Sequence, residues 1–156
     1  MSTRPIRPIR PIRDDEVEAV VALWARCGLT RPWNDPHQDI ALARATPHAD
    51  VLVLAEAAGL TAAVMVGHDG HRGAVYYLGV DPDHAGTGRG RALMTAAEDW
   101  LRARGVWKIN LLVRASNAAV IGFYEALGYG DQDCRVLGKR LDGRADRAPR
   151  DPERRG

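Results

Sequence analysis

Three glycines at alternate positions, Gly86, Gly88 and Gly90, sit in the stretch DPDHAGTGRGRAL, directly after the apolar run AVYYLGV and directly before a segment of helical period. A strand that feeds a helix directly puts both element types in one chain, as in an α/β arrangement. It also suggests a ligand: the first N–H groups of a helix lack acceptors and carry the positive end of its dipole, so a glycine turn there seats a phosphate without side chains in the way. Two phosphate motifs do not fit. The nucleotide-triphosphatase loop needs Gly-Lys-Ser/Thr, and no lysine occurs here; the dinucleotide fingerprint needs glycine where Arg91 stands, and an acid about 20 residues further on that is absent.

The rest of the chain supplies a matching set of elements. RPIRPIRPIR repeats Arg-Pro-Ile three times, and proline at every third position leaves only its last copy, Ile9 to Arg13, usable as a strand. Val17, Val20, Val21 and Trp24 mark a first helix that Gly28 stops, and Asp35-Pro36 begins a second that runs to Ala45. VLVLAEAAG and LTAAVMVG read as a hairpin, and AVYYLGV as a further strand. Leu93, Ala97, Trp100 and Leu101 form one face of a helix ending at Gly105; VWKINLLV is a strand, Asn117 to Leu127 a helix, and CRVLGKRL a closing strand. The order β-α-α-β-β-β-α-β-α-β predicts a mixed sheet.

Length and composition narrow the class. A chain of 156 residues, 46% hydrophobic and 27% charged, fits one soluble domain. No apolar run approaches the ~20 residues of a membrane helix, and the start lacks a secretory apolar segment, so a cytoplasmic location and no membrane partner are expected. Cys27 and Cys134 fit neither a disulfide framework nor a metal pattern and are read as packing residues; no metal is expected. The net charge of +2 is carried largely by arginines at the two ends, without interleaved aromatics, which argues against a nucleic-acid partner. Expected boundaries are an extended arm at 1–8, a domain at 9–141 and a disordered Arg/Asp/Pro tail at 142–156.

A second motif adds to the glycines. SNAAVIGFYEALGY, with Asn117, Ala119, Phe123, Tyr124, Glu125, Gly128 and Tyr129, follows V-x-P-x-x-x-G-x-G-x-G-x-x-L, here Val80, Pro82, Gly86, Gly88, Gly90 and Leu93. In this order and spacing the two resemble the signatures of the GCN5-related N-acetyltransferases, the GNAT superfamily, and DGHRG, YYLGV and LGKRL resemble its YpeA-like bacterial subgroup. The resemblance, over residues 9 to 141, implies an α/β fold: a mixed, mostly antiparallel central sheet, helices on both faces and a splayed strand at the acetyl-CoA site. It implies a bacterial acyltransferase of N-acetyltransferase type that moves acetyl from acetyl-CoA directly to a primary amine of a small molecule or protein. Homodimers are common in the superfamily.

The same resemblance distributes the roles. Backbone groups of Ala85, Gly86, Thr87, Gly88, Arg89, Gly90 and Arg91 would hold the pyrophosphate, the side chains of Arg89 and Arg91 adding charge or staying solvated. Main-chain groups of Leu78 and Val80 would meet pantetheine and thioester, with Gly79 marking either a strand bulge or a close approach. Asn117 would bind the cofactor or cap the helix that follows. Tyr124 would protonate the departing thiolate, its phenol of pKa ~10 facing a thiol near ~8.5, or only pack on the cofactor. The sequence offers no general base: no carboxylate lies between Ala74 and Val80, and Glu56, His68, Asp69 and His71 are unassigned suspects. Trp33, Asn34, Asp35 and Tyr76 are the candidate acceptor wall. A module that binds acyl-CoA without turnover is the alternative.

Overall fold

The structure is a computed structural model that describes residues 9–145. The earlier copies of the Arg-Pro-Ile repeat, in the expected arm, and the end of the expected tail from 146 lie outside the described residues. Five strands form one sheet in sequence order: β1 (Ile9–Pro11), β2 (Ala49–Glu56), β3 (Gly59–His68), β4 (Gly73–Val80) and β5 (Ile109–Leu111). The first four pair antiparallel, and β5 lies parallel to β4, as a crossover through a helix requires. The mixed sheet expected from the element order is present.

Two helices cover each face. On one side lie α1 (Val17–Arg26) and α2 (Pro36–Arg44), on the other α3 (Arg89–Arg102) and α4 (Ala118–Ala126). Val20, Leu23 and Trp24 of α1 are completely buried against Val51, Val53 and Ala63, while Leu93, Met94, Ala97 and Leu101 of α3 meet Leu52, Leu54, Val64 and Val66. The period of two along β2 and β3 thus feeds both cores from the same strands. Helix ends follow the sequence signals. Asp35 caps α2 by accepting from the His37 and Gln38 amides with proline at the first turn. Gly28, Gly105 and Gly128 take positive φ just beyond α1, α3 and α4.

The closing strand expected over Cys134–Leu141 does not form, and no strand follows α4 among the described residues. Its apolar residues Val136 and Leu137 join neither core. Both are exposed, at 68% and 93%, and β5 ends after three residues. Arg140 anchors the segment instead, donating to the Trp33 carbonyl at 2.5 Å and to both carboxylate oxygens of Asp142. Cys134, expected to pack, is exposed.

Candidate active site

The site begins where two strands part. The parallel pairing of β4 with β5 runs only from Gly73↔Ile109 to Val75↔Leu111; from Tyr76 to Val80, β4 keeps only its other neighbour, β3. A wedge therefore opens between the strands toward the N-terminus of α3. The register against β3 also breaks: Ala63 faces Gly79 and Met65 faces Tyr76, so Tyr77 and Leu78 together oppose the single residue Val64. That is a bulge, and its left-handed residue is Tyr77, at φ 54°. The expected bulge exists, but Gly79 does not make it. A Cβ at Gly79 would lie 3.1 Å from Cys27 Sγ and Trp24 Cδ1 and 3.2 Å from Leu29 Cδ1, so this glycine lets α1 close on the strand.

The three glycines divide their work. Gly86 and Gly88 take φ of 70° and 77°, and a Cβ on either would meet nothing within 4 Å: each supplies a left-handed turn beside open space. Gly88 is the N-cap of α3 and no side chain caps that end, leaving the first-turn N–H groups from Arg89 without an intrahelical acceptor. Gly90 differs. Its Cβ would come 3.2 Å from Phe123 Cζ, so its bareness lets α4 approach α3. Ahead of the loop, Asp81 accepts from the Asp83 amide and from Arg26, which together hold its carboxyl below the usual range and fix the turn Pro82–His84.

Arg89 and Arg91 are not equivalent. The Arg89 guanidinium forms a two-pronged pair with Glu56 at 2.9 and 3.0 Å and reaches Thr87 Oγ1 at 2.7 Å. Glu56 in turn accepts from the buried Thr61 hydroxyl. Its charge met, Arg89 pins the loop to the β2–β3 hairpin, and Glu56 is occupied rather than poised as a base. Arg91 is exposed and makes no ion pair among the described residues.

On α4, Tyr124 is 9% exposed between Phe123 and Tyr129, ring centroids 5.1 and 5.7 Å away, and burial raises its phenol above the ordinary value. Tyr129 gives its hydroxyl to Glu98 at 2.7 Å; Tyr124 has no such partner among the described residues. Asn117 caps α4, its side chain accepting from the Val120 amide at 3.3 Å.

The acceptor candidates fall into two groups. Tyr76 is 46% exposed and faces Met65, whose side chain packs beneath α1 and α2, so it looks out on that face. Asp35 is engaged as the cap of α2, exposed Asn34 completes a turn on the Arg31 carbonyl, and Trp33 is held through its own carbonyl by Arg140. His68 and Asp69 lie at the β3–β4 turn, at the far end of β4 from the glycines. There the Arg72 and His71 amides hold the Asp69 carboxyl low, and His68 packs on His48.

Two residues make contacts the sequence reading did not anticipate. Asp39 accepts from the Tyr77 hydroxyl at 2.6 Å, and Cys27, read as a packing residue, donates its thiol to the Val80 carbonyl at 3.2 Å. Burial raises the Cys27 thiol above its ordinary value, which disfavours the thiolate. A carboxylate in the first turn of α2 carries no sequence signal for contact with a strand 38 positions later.

The family model described as the Acetyltransferase (GNAT) family matches residues 13–129. The chain belongs to the GNAT acetyltransferase family. An acetyltransferase of Pectobacterium atrosepticum is 53% identical over 129 residues, covering 81% of this chain and 90% of that protein. One from Sodalis glossinidius is 52% identical over 130 residues with the same coverage. Among solved structures, the ribosomal-protein-S18-alanine N-acetyltransferase from Escherichia coli is 29% identical, with a TM-score of 0.67 over 78% of this chain and 76% of that one. AAC(6')-Iy in complex with the bisubstrate analog CoA-S-monomethyl-acetylneamine shares the fold, with a TM-score of 0.73 at 14% identity over 85% of this chain and 97% of that one. This GNAT protein is thus an acyltransferase of N-acetyltransferase type, in a family that uses acetyl-CoA. Among the described residues no helix is long and apolar enough to cross a membrane.

Proposed function

We propose that this GNAT protein transfers acetyl from acetyl-CoA directly to a primary amine. The observation that carries the reading is the wedge between β4 and β5 opening onto the uncapped start of α3, beside two left-handed glycines with open space at their Cβ positions. The residues fit the donor: of the amides expected from Ala85 to Arg91, that of Ala85 is spent on the Pro82 carbonyl at 3.3 Å, leaving those from Gly86 to Arg91 for the pyrophosphate, Arg91 for added charge, and unpaired β4 backbone for the pantetheine arm. In the reaction the amine nitrogen bonds to the carbonyl carbon and the C–S bond breaks. Tyr124 gives its proton to the sulfur, and the amine proton leaves through water. A phenol kept protonated by burial suits that role. The raised thiol of Cys27, held on a carbonyl, supports direct transfer over an acyl-cysteine route.

Calorimetric titration with acetyl-CoA, CoA and ATP tests this. Binding of the first two and not the third supports the site, and no binding of either CoA species overturns it. The occupied state of Glu56 favours a second reading, an acyl-CoA-binding module without turnover. Thiol release across a panel of primary amines separates the two.

A further inference from the structure

Adjacent residues of a strand send their side chains to opposite faces. In β4 the bulge breaks that rule. Tyr76 faces Met65 on the α1/α2 side and Tyr77 packs on the same side, while Val75, Leu78 and Val80 belong to the α3/α4 side. The backbone changes phase at Tyr77, in a left-handed conformation that a tyrosine keeps only when its surroundings hold it. Two contacts hold this one. Its ring stacks on Trp24 with centroids 4.4 Å apart and planes 16° from parallel, and Trp24 is completely buried. Its hydroxyl donates to Asp39 Oδ2 at 2.6 Å, so α1 and α2 each grip the side chain once. Burial and then the Asp39 carboxylate push the phenol upward, which keeps it a donor.

The bulge sets Tyr77 and Leu78 together against Val64, and the peptide unit between them carries a single donor, the Leu78 N–H. Its direction is set by the Tyr77 backbone torsions. We propose that Tyr77, gripped by Trp24 and Asp39, is a positioning residue for acyl transfer that aims the Leu78 N–H at the thioester carbonyl. The inference rests on the proposed acetyl-CoA site. It assigns to α2, through Asp39, a part in the chemistry of β4.

The test uses the full chain and acetyl-CoA carrying ¹³C at the carbonyl, read by isotope-edited infrared spectroscopy, with calorimetric titration of acetyl-CoA and CoA in parallel. In the wild type the carbonyl band moves to lower frequency on binding, because a hydrogen bond polarises the C=O. Tyr77→Phe keeps the stack and loses the Asp39 bond; Asp39→Ala loses the same bond from the other side. In both, the band returns toward its solution position, the preference for acetyl-CoA over CoA shrinks, CoA affinity holds, and thiol release to an amine acceptor falls about tenfold or more. Asp39→Asn, whose amide oxygen still accepts, recovers most of the band shift. Tyr77→Gly, which adopts positive φ freely but cannot be gripped, behaves as Tyr77→Phe. If the variants only melt earlier while band and preference stay wild-type, the grip is structural and the proposal falls. A wild type that binds acetyl-CoA with no band shift overturns this proposal alone, and one that binds neither CoA species overturns the site as well.

Discussion

Gly88→Ala and Gly90→Ala separate two jobs that one glycine motif performs. At Gly88 the added methyl meets nothing within 4 Å, so its structural cost is the left-handed backbone alone, at φ 77°. That is about 1–2 kcal/mol for an L-residue, or a fall in Tm of roughly 2–8 °C for a chain of this size. The same methyl projects beside the uncapped start of α3, so acetyl-CoA affinity should fall by more than the stability does. At Gly90 the backbone is ordinary and the methyl lands 3.2 Å from Phe123 Cζ. Alanine gains up to about 1 kcal/mol of helix propensity and displaces Phe123 by a few tenths of an ångström. Net stability should change little, and acetyl-CoA binding should stay near wild-type. Because Gly90 and Phe123 touch, Gly90→Ala combined with Phe123→Leu should be more stable than the sum of the single changes. Urea midpoints at constant m-value, with titrations of acetyl-CoA, supply every quantity. Equal loss of binding in both single variants, without coupling to Phe123, would refute the division.

Three further outcomes are expected. Tyr124→Phe should lower turnover by about 10²–10⁴ and leave acetyl-CoA affinity nearly intact, as loss of a general acid requires; single-turnover kinetics against a responsive amine checks it. Gly79→Ala should destabilise by about 1–3 kcal/mol through overpacking on Trp24 and Cys27, read from its urea midpoint. Arg10 binds both Glu16 oxygens, at 2.7 and 2.9 Å, and this first of all holds the Glu16 carboxyl down at about 2 against an ordinary 4.5. A depressed folded-state pKa stabilises above the unfolded value. Glu16→Gln should therefore lower Tm by a few degrees at pH 7, and the gap should close as pH falls from about 4.5 toward about 2.

Most elements were legible because their signals are local. Asp35-Pro36, Gly28, Gly105 and Gly128 mark helix boundaries through their own backbone chemistry, and the unbroken apolar runs of β2 and β3 mark strands covered on both faces. What failed to read depends on partners. Gly79 left a bulge and a close approach both open, because the side chains it admits, Trp24 and Cys27, lie far away in sequence. The left-handed residue is a tyrosine, which no propensity argument selects. Arg89 and Arg91 look alike until Glu56 claims the first. CRVLGKRL has strand-like residues, but nothing in its composition reveals that Arg140 ties it to a distant loop.

That tie bears on the order of assembly. Residues 140 and 33 meet across 107 positions, whereas β2, β3 and β4 pair with their immediate neighbours in the chain. Contacts of short sequence separation close first, and distant ones carry the larger loop-closure entropy. During synthesis the sheet and the glycine turn can be in place while the loop at 30–35 still lacks its contact with Arg140. A chain shortened before Arg140 should keep the hairpin core yet hold that loop only by its local turn and the Asp35 cap.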